Sequence, residues 1–368
     1  MKIPSQRGAI ALATALVMGS TSAWADSPEF TFKGYGTLAA THADTNLADF
    51  RASWRQDHGS RGKVDFGVDS RLGAQVNANF NETFSGAGQI LAIRRDGKDK
   101  IEVEWLYAQI QAHPEVALRL GRFALPSFML SDVRTVGYAQ HWARTPAEVY
   151  LQFPVTSVDG IQLLYRTSWD GYKFTVQPSF GRAKATQYFD AGPLGQLAPD
   201  AQFNGLKAVN LSVEKGDWLL RAGQVVNNAS LDYHHPWVPF EKFKDTFTSV
   251  GLQYDNGDWL LMSEYVDRKT STDRFDTQSY YLSAGYRWDQ IMPYASYSHL
   301  KSAGSVIKDN PPATTTALGA RWDARQNLAI KFQVESSRLS GQQFTKLDLA
   351  ASKSERVKVF TVGLDFIF

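Results

Sequence analysis

Asp65-Phe66-Gly67-Val68-Asp69-Ser70-Arg71-Leu72-Gly73-Ala74-Gln75-Val76-Asn77-Ala78-Asn79-Phe80 is written in steps of two. Phe66, Val68, Leu72, Ala74, Val76, Ala78 and Phe80 fall on one face of an extended chain, and Asp65, Asp69, Arg71, Gln75, Asn77 and Asn79 fall on the other. Successive side chains of a strand point to opposite faces, so this alternation predicts a half-buried β-strand. The last ten residues repeat it, with Phe360, Val362, Leu364, Phe366 and Phe368 on one face. Tyr280, Leu282, Ala284, Tyr286 and Trp288 do so again, as do Leu328, Ile330, Phe332 and Val334. About sixteen such segments of roughly ten residues follow one another, the length that crosses a bilayer when tilted.

The connections alternate between short and long. Asn81-Glu82-Thr83, His113-Pro114, Glu214-Lys215-Gly216-Asp217, Asp255-Asn256-Gly257-Asp258 and Asp289-Gln290 are short polar turns. Between them lie long stretches near 41–63, 124–158, 184–207, 228–246, 301–314 and 340–356, rich in Gly, Pro, Asn, Asp, Ser and Lys, as loops are. Short turns at one end and long loops at the other suit a transmembrane antiparallel β-barrel, whereas a soluble sandwich has no reason to segregate them. Sixteen strands leave an aqueous lumen, which eight do not.

Composition agrees. A mean hydropathy of −0.31 looks soluble, but barrel strands are apolar only on alternate residues. There are no cysteines, so disulfide frameworks and thiolate metal sites are excluded. At the N-terminus, Lys2 and Arg7 precede an apolar run from Ala9 to Met18 and the small-residue site Ala23-Trp24-Ala25. That is the order of a cleaved secretory signal, so residues 1–25 are expected to be a leader and 26–368 the barrel domain. Removing Lys2 and Arg7 leaves the mature chain with 37 basic against 37 acidic side chains, which speaks against a nucleic-acid partner.

Aromatic placement supports the membrane reading. Gly216-Asp217-Trp218-Leu219-Leu220 recurs as Gly257-Asp258-Trp259-Leu260-Leu261, and Trp169, Trp288 and Trp322 also flank turn-like segments. Indole favours the membrane–water boundary, where its ring is apolar and its N–H finds a partner. Other constellations lead nowhere. His234-His235 lacks the ordered carboxylates or thiolates of a metal site. No G-x-S-x-G elbow, G-x-G-x-x-G turn or phosphate-cradling lysine motif occurs. No cofactor is implied. The run Arg94-Arg95-Asp96-Gly97-Lys98-Asp99-Lys100 reads as a solvated tip facing membrane lipid and lipopolysaccharide.

Over nearly the whole mature chain the sequence resembles the Gram-negative general diffusion porins. The resemblance is carried by Phe32-Lys33-Gly34-Tyr35-Gly36-Thr37-Leu38, by Ser70-Arg71-Leu72-Gly73 with Phe84-Ser85-Gly86-Ala87-Gly88-Gln89, by Leu118-Arg119-Leu120-Gly121-Arg122, and by the strand ending in Phe368. It implies a homotrimer in the outer membrane of a Gram-negative bacterium. Small hydrophilic solutes and ions would diffuse through it, and the third loop would fold into the lumen. It implies that outer-membrane assembly machinery reads Phe360, Val362, Leu364, Phe366 and Phe368 as an insertion signal. At the constriction it places Arg71 and Arg122 on the wall, facing a loop of about Ala124 to Ser157 with Asp132, Arg134, Arg144 and Glu148, besides His141. Two departures stand out. The fourth strand offers Glu104 where the family often has a basic residue, and the loop that latches neighbouring subunits is short. Parity leaves Glu104 open, since either Trp105 and Tyr107 or Leu106, Ala108 and Ile110 could face lipid. Independently of family, opposed charges in a narrow aqueous pore set a transverse field, with carboxylates such as Asp132 or Glu148 offsetting packed arginines. The rival readings are a channel specific for sugars or small anions, a barrel enzyme, and an adhesin.

Overall fold

A computed structural model of the chain describes residues 28–95, 97–190, 194–303, 311–348 and 351–368. The expected leader lies outside these. Among the described residues the wall comprises sixteen antiparallel strands. They are β1 (Glu29–Ala43), β2 (Arg71–Asn79), β3 (Phe84–Arg95), β4 (Lys98–His113), β5 (Val116–Ala124), β6 (Ser157–Trp169), and β7, which runs as Tyr172–Val176 and Ser179–Thr186. The wall continues through β8 (Asp200–Lys215), β9 (Trp218–Asp232), β10 (Glu241–Asp255), β11 (Trp259–Thr270) and β12 (Thr277–Tyr286). It ends with β13 (Ile291–Ser302), β14 (Ala313–Arg325), β15 (Leu328–Arg338) and β16 (Arg356–Ile367). Both halves of β7 pair with β6 and with β8, so they are one strand interrupted at Gln177-Pro178. Proline has no N–H to give to the ladder.

Each strand pairs with its neighbour in sequence, and β16 returns to β1 with Tyr35 opposite Ile367 and Ala43 opposite Val359. The sheet is therefore closed, with no edge left to satisfy in a membrane. At this seam the terminal aromatics lie on the outer face. A Cβ built at Gly34 would stand 2.2 Å from the Phe368 ring, and one at Gly36 would stand 2.4 Å from the Phe366 ring. Only glycine lets the rings lie against the backbone there. Phe360, Val362, Leu364, Phe366 and Phe368 all sit on this outward face, the last 73% exposed.

The short turns fall at one end. Asp170-Gly171 joins β6 to β7 with both φ angles positive, at 48° and 75°, the geometry of a two-residue hairpin. Trp169, Trp218, Trp259, Trp288 and Trp322 are all exposed at this end, and two of them rest on cross-strand tyrosines, Trp218 on Tyr254 and Trp259 on Tyr286. This is an aromatic girdle. At the opposite end the strands run further than their composition suggests. β9 continues to Asp232 and β10 begins at Glu241, so the connection expected over 228–246 is only residues 233–240. Likewise β8 begins at Asp200, inside the expected 184–207 loop.

Candidate channel constriction

Alternation sets which wall residues face inwards. In β1, Tyr35, Thr37, Ala39 and Thr41 are buried while Leu38 is exposed. In β15, Lys331, Gln333 and Glu335 are buried while Phe332 and Val334 are exposed. The segment between β5 and β6 lies against these inward-facing side chains. Arg144 reaches three strands and the segment before β2. It donates to Asp69 from Nε (3.0 Å) and again from Nη2, to Thr41 of β1 (3.4 Å), to Glu335 of β15 (2.9 Å) and to Thr361 of β16 (3.1 Å). Its guanidinium also stands 4.5 Å from the Phe50 ring centroid. Glu148 accepts hydrogen bonds from Ser298 and Thr315, each 2.6 Å. Lys331 donates to the carbonyls of Gly137 (2.7 Å) and Trp142 (2.9 Å) and pairs with Asp365 at 2.7 Å. Arg321 donates to the carbonyls of Tyr138 and Gln140.

On the far side of the lumen the contacts are apolar. Phe128, Met129, Trp142, Tyr150 and Phe153 of the segment pack against Phe203, Val225, Phe247, Leu260, Met262, Val266 and Tyr281 of β8 to β12. Phe128 meets Phe247 edge-on at 5.0 Å, and Trp142 meets Tyr281 at 5.6 Å. A few polar bonds thread this side: Arg221 to the Met129 carbonyl, the Met129 N–H to Glu264, and Ser249 to the Ser127 carbonyl.

Between the segment and the wall at β2 and β3 a cavity of about 80 Å³ remains, lined by Asp69, Arg71, Arg95, Arg134, Gln140 and Tyr150 among others. Arg71 carries no ion pair among the described residues, and its Nε is buried without a hydrogen-bond partner. Arg134 donates to the Tyr150 carbonyl and lies over the Phe128 ring. Burial, with Arg95 close by, lowers its pKa to about 10, so it remains charged at neutral pH. Arg95 is paired with Glu102 at 3.3 Å; Arg71 and Arg134 have no ion pair among the described residues, and desolvating them is costly unless an anion or water solvates them.

The sequence-predicted residues are only partly brought together. Arg71 and Arg134 both line the cavity. Arg144 lines it too, but its charge is spent on Asp69 and Glu335, which makes it a fastener of the loop. Glu148 is buried against hydroxyls and forms no ion pair among the described residues. Asp132 is exposed, 3.8 Å from Arg221, away from the cavity's lining. Glu104 faces inwards, 5% exposed. It is the extra residue of a bulge: Gln89 pairs with Trp105 and Ile90 with Val103, leaving Glu104 opposite nothing. Before the bulge Ile101 and Val103 face lipid, and after it Leu106 does. Parity was open in the sequence because it changes at that residue. His141 is buried against Ser283 at 2.9 Å, and burial holds its pKa well below the ordinary value.

Arg122 is a correction. It pairs across the sheet with Leu106 and with Asp159, on the same outward face as Leu120 and Ile161. There it forms an ion pair with Asp159 at 2.6 Å, away from the lumen. Arg119, three residues earlier, faces inwards, hydrogen-bonded to Gln109 and lying over the Tyr107 ring. The basic run at 94–100 also departs from expectation. Arg95 is 5% exposed and lines the cavity, and Arg94 pairs with Asp65, so neither is a solvated tip. Motif reasoning missed Asp69, Arg95, Lys331, Glu335 and Asp365. Their common signal was a charged residue on the polar face of an alternating strand.

The Gram-negative porin family matches residues 11–365 of the sequence. The chain belongs to the Gram-negative porins. Among solved structures this porin is similar to OmpT of Vibrio cholerae, folded in vitro, in its trimer form. The TM-score is 0.61 at 14% identity, over 93% of this chain and 100% of that one. It is also similar to an anion-selective porin from Comamonas acidovorans, with TM-score 0.59 and 13% identity over 93% and 100% of the two chains. The OmpF of Salmonella typhi in complex with daunomycin gives 0.56 and 17% over 93% and 98%. No curated protein matches the porin in sequence. Its family and closed wall make it an outer-membrane β-barrel protein.

Proposed function

We propose that this porin is a passive diffusion channel for small hydrophilic solutes and ions, narrowed by the segment between β5 and β6. The observation that carries the reading is the closed wall with that segment fastened across its inner face, beside a cavity lined by Arg71, Arg95 and Arg134. Cations held in a narrow low-dielectric passage attract anions and repel cations, so the reading includes a preference for anions. No covalent step is invoked. A homotrimer is proposed by analogy with OmpT in its trimer form. The outward row from Phe360 to Phe368 is proposed as the signal read by the assembly machinery, residues 1–25 as the leader, and lipid and lipopolysaccharide as the surroundings of the outer face.

A second reading, a channel specific for particular solutes, is favoured by the apolar packing that fills the β8–β12 side. One experiment separates the two: single-channel conductance of the purified mature protein in a planar bilayer under a salt gradient. Large steps in threes with a reversal potential on the anion side fit diffusion, and small steps saturably blocked by one solute fit specificity. Silence from a folded barrel would remove both.

A further inference from the structure

A second cavity, of about 160 Å³, adjoins the arginine-lined one and shares Trp54 and Pro154 with it. Its character is different. Phe203 and Phe243 face it from the wall, and Trp54, Phe189 and Phe275 from the connections. The rings form a continuous set: Trp54 to Phe189 at 5.0 Å, Phe189 to Phe275 at 6.4 Å, Phe275 to Phe243 at 5.1 Å. The one charged lining residue, Arg268, is spent, donating to both oxygens of Asp245 (3.1 and 2.7 Å) and to the Gln152 carbonyl.

Among the described residues, one buried polar group of the lining is left over. Gln187 lines the cavity and is 6% exposed, yet its carboxamide makes no hydrogen bond among the described residues. The neighbouring amide of Gln152 is saturated, accepting from Thr277 at 2.6 Å and donating to Gln342 at 2.9 Å. A buried amide without a partner is costly, and one that reaches a cavity is satisfied by whatever occupies it.

We propose that this cavity binds an uncharged, single-ring aromatic solute carrying one hydrogen-bonding substituent, the ring among the phenylalanines and the substituent on Gln187. Size supports one ring, since an apolar cavity of about 150 Å³ accommodates benzene. Charge excludes an aromatic carboxylate, because Arg268 has no donor pair left for it. A sugar needs free polar partners around its whole rim, and here Gln152, Thr277 and Arg268 are already bonded to one another or to the wall. The inference rests on the channel reading only for its meaning, a solute held beside the constriction; binding itself needs no conduction.

The test is calorimetric titration of the refolded full chain in detergent with benzamide, against benzoate and glucose, with bilayer conductance recorded on the same preparation. Benzamide should bind saturably, one per chain, at least about tenfold more tightly than the other two. Gln187→Leu keeps the volume and loses one hydrogen bond, so its affinity should fall about 3- to 10-fold. Phe275→Ala should weaken binding as well. Absence of saturable heat from a heat-modifiable barrel overturns the proposal, as does preference for benzoate or glucose, or unchanged affinity in both variants. Benzamide binding by a barrel that passes no current upholds the cavity and removes only the channel reading.

Discussion

The inner wall of this porin has two sides that hold the same segment by different physics. From β14 round to β2 the fastening is polar and directional: Arg144 on Asp69 and Glu335, and Lys331 and Arg321 on backbone carbonyls. From β8 to β12 it is apolar, with Phe128, Trp142 and Phe153 set among wall side chains. Hydrogen bonds to fixed carbonyls specify where a chain must lie to within a few tenths of an ångström, while apolar contact supplies energy without much direction. The polar side therefore sets the position of the segment. The apolar side supplies adhesion.

That division can be broken from either side. The largest effect is expected from Arg144→Ala, which strands Asp69 and Glu335 without their cation. Removing one partner of a buried pair costs about 3–5 kcal/mol, so the segment should detach, with larger, noisier conductance steps and faster cleavage at 125–156 by added protease. Quiet wild-type steps would mean that the apolar side positions the segment unaided. Phe153→Ala empties part of the opposite side at about 3–5 kcal/mol. It should lower the melting temperature while leaving step size close to wild type, because the polar anchors still fix position. Equal widening by both substitutions would erase the distinction.

Two milder changes sharpen the comparison at the cavity. Arg71→Glu reverses a charge that has no ion pair among the described residues, so the reversal potential should move towards cations with little loss of stability; an unchanged potential takes Arg71 out of the conduction path. The smallest effect concerns pH. Burial lowers the Arg134 pKa to about 10, so the group is charged below that value and neutral above it. Anion preference should hold through neutral pH and decline as pH rises through about 10, and Arg134→Met should flatten that decline. A profile identical in the two proteins would exclude Arg134 as the titrating group.

Much of the wall was legible because a membrane makes alternation obligatory: Phe360 to Phe368 and Leu72 to Ala78 face outwards as their spacing requires. The site was less legible, for two reasons. Arg122 was placed by the resemblance of Gly121-Arg122, although Leu118 and Leu120 share its parity and put it with them on the lipid side. Local alternation was the better guide there. Asp69 lies 75 residues from Arg144, and the Gly137 carbonyl lies 194 residues from Lys331; no local pattern encodes which strands a 30-odd-residue loop will touch. Glu104 stayed open because a bulge leaves no mark in composition.

That bulge also bears on how the gene can change length. Deleting a residue from a membrane strand turns every later side chain over, bringing polar groups to the lipid and apolar ones to the water. In β4, removing Glu104 does the opposite: Val103 would be followed directly by Trp105, and alternation would run unbroken with Ile101, Val103 and Leu106 still facing out. Glu104, which stands opposite nothing in β3, is thus a place where a codon can be lost without inverting the strand.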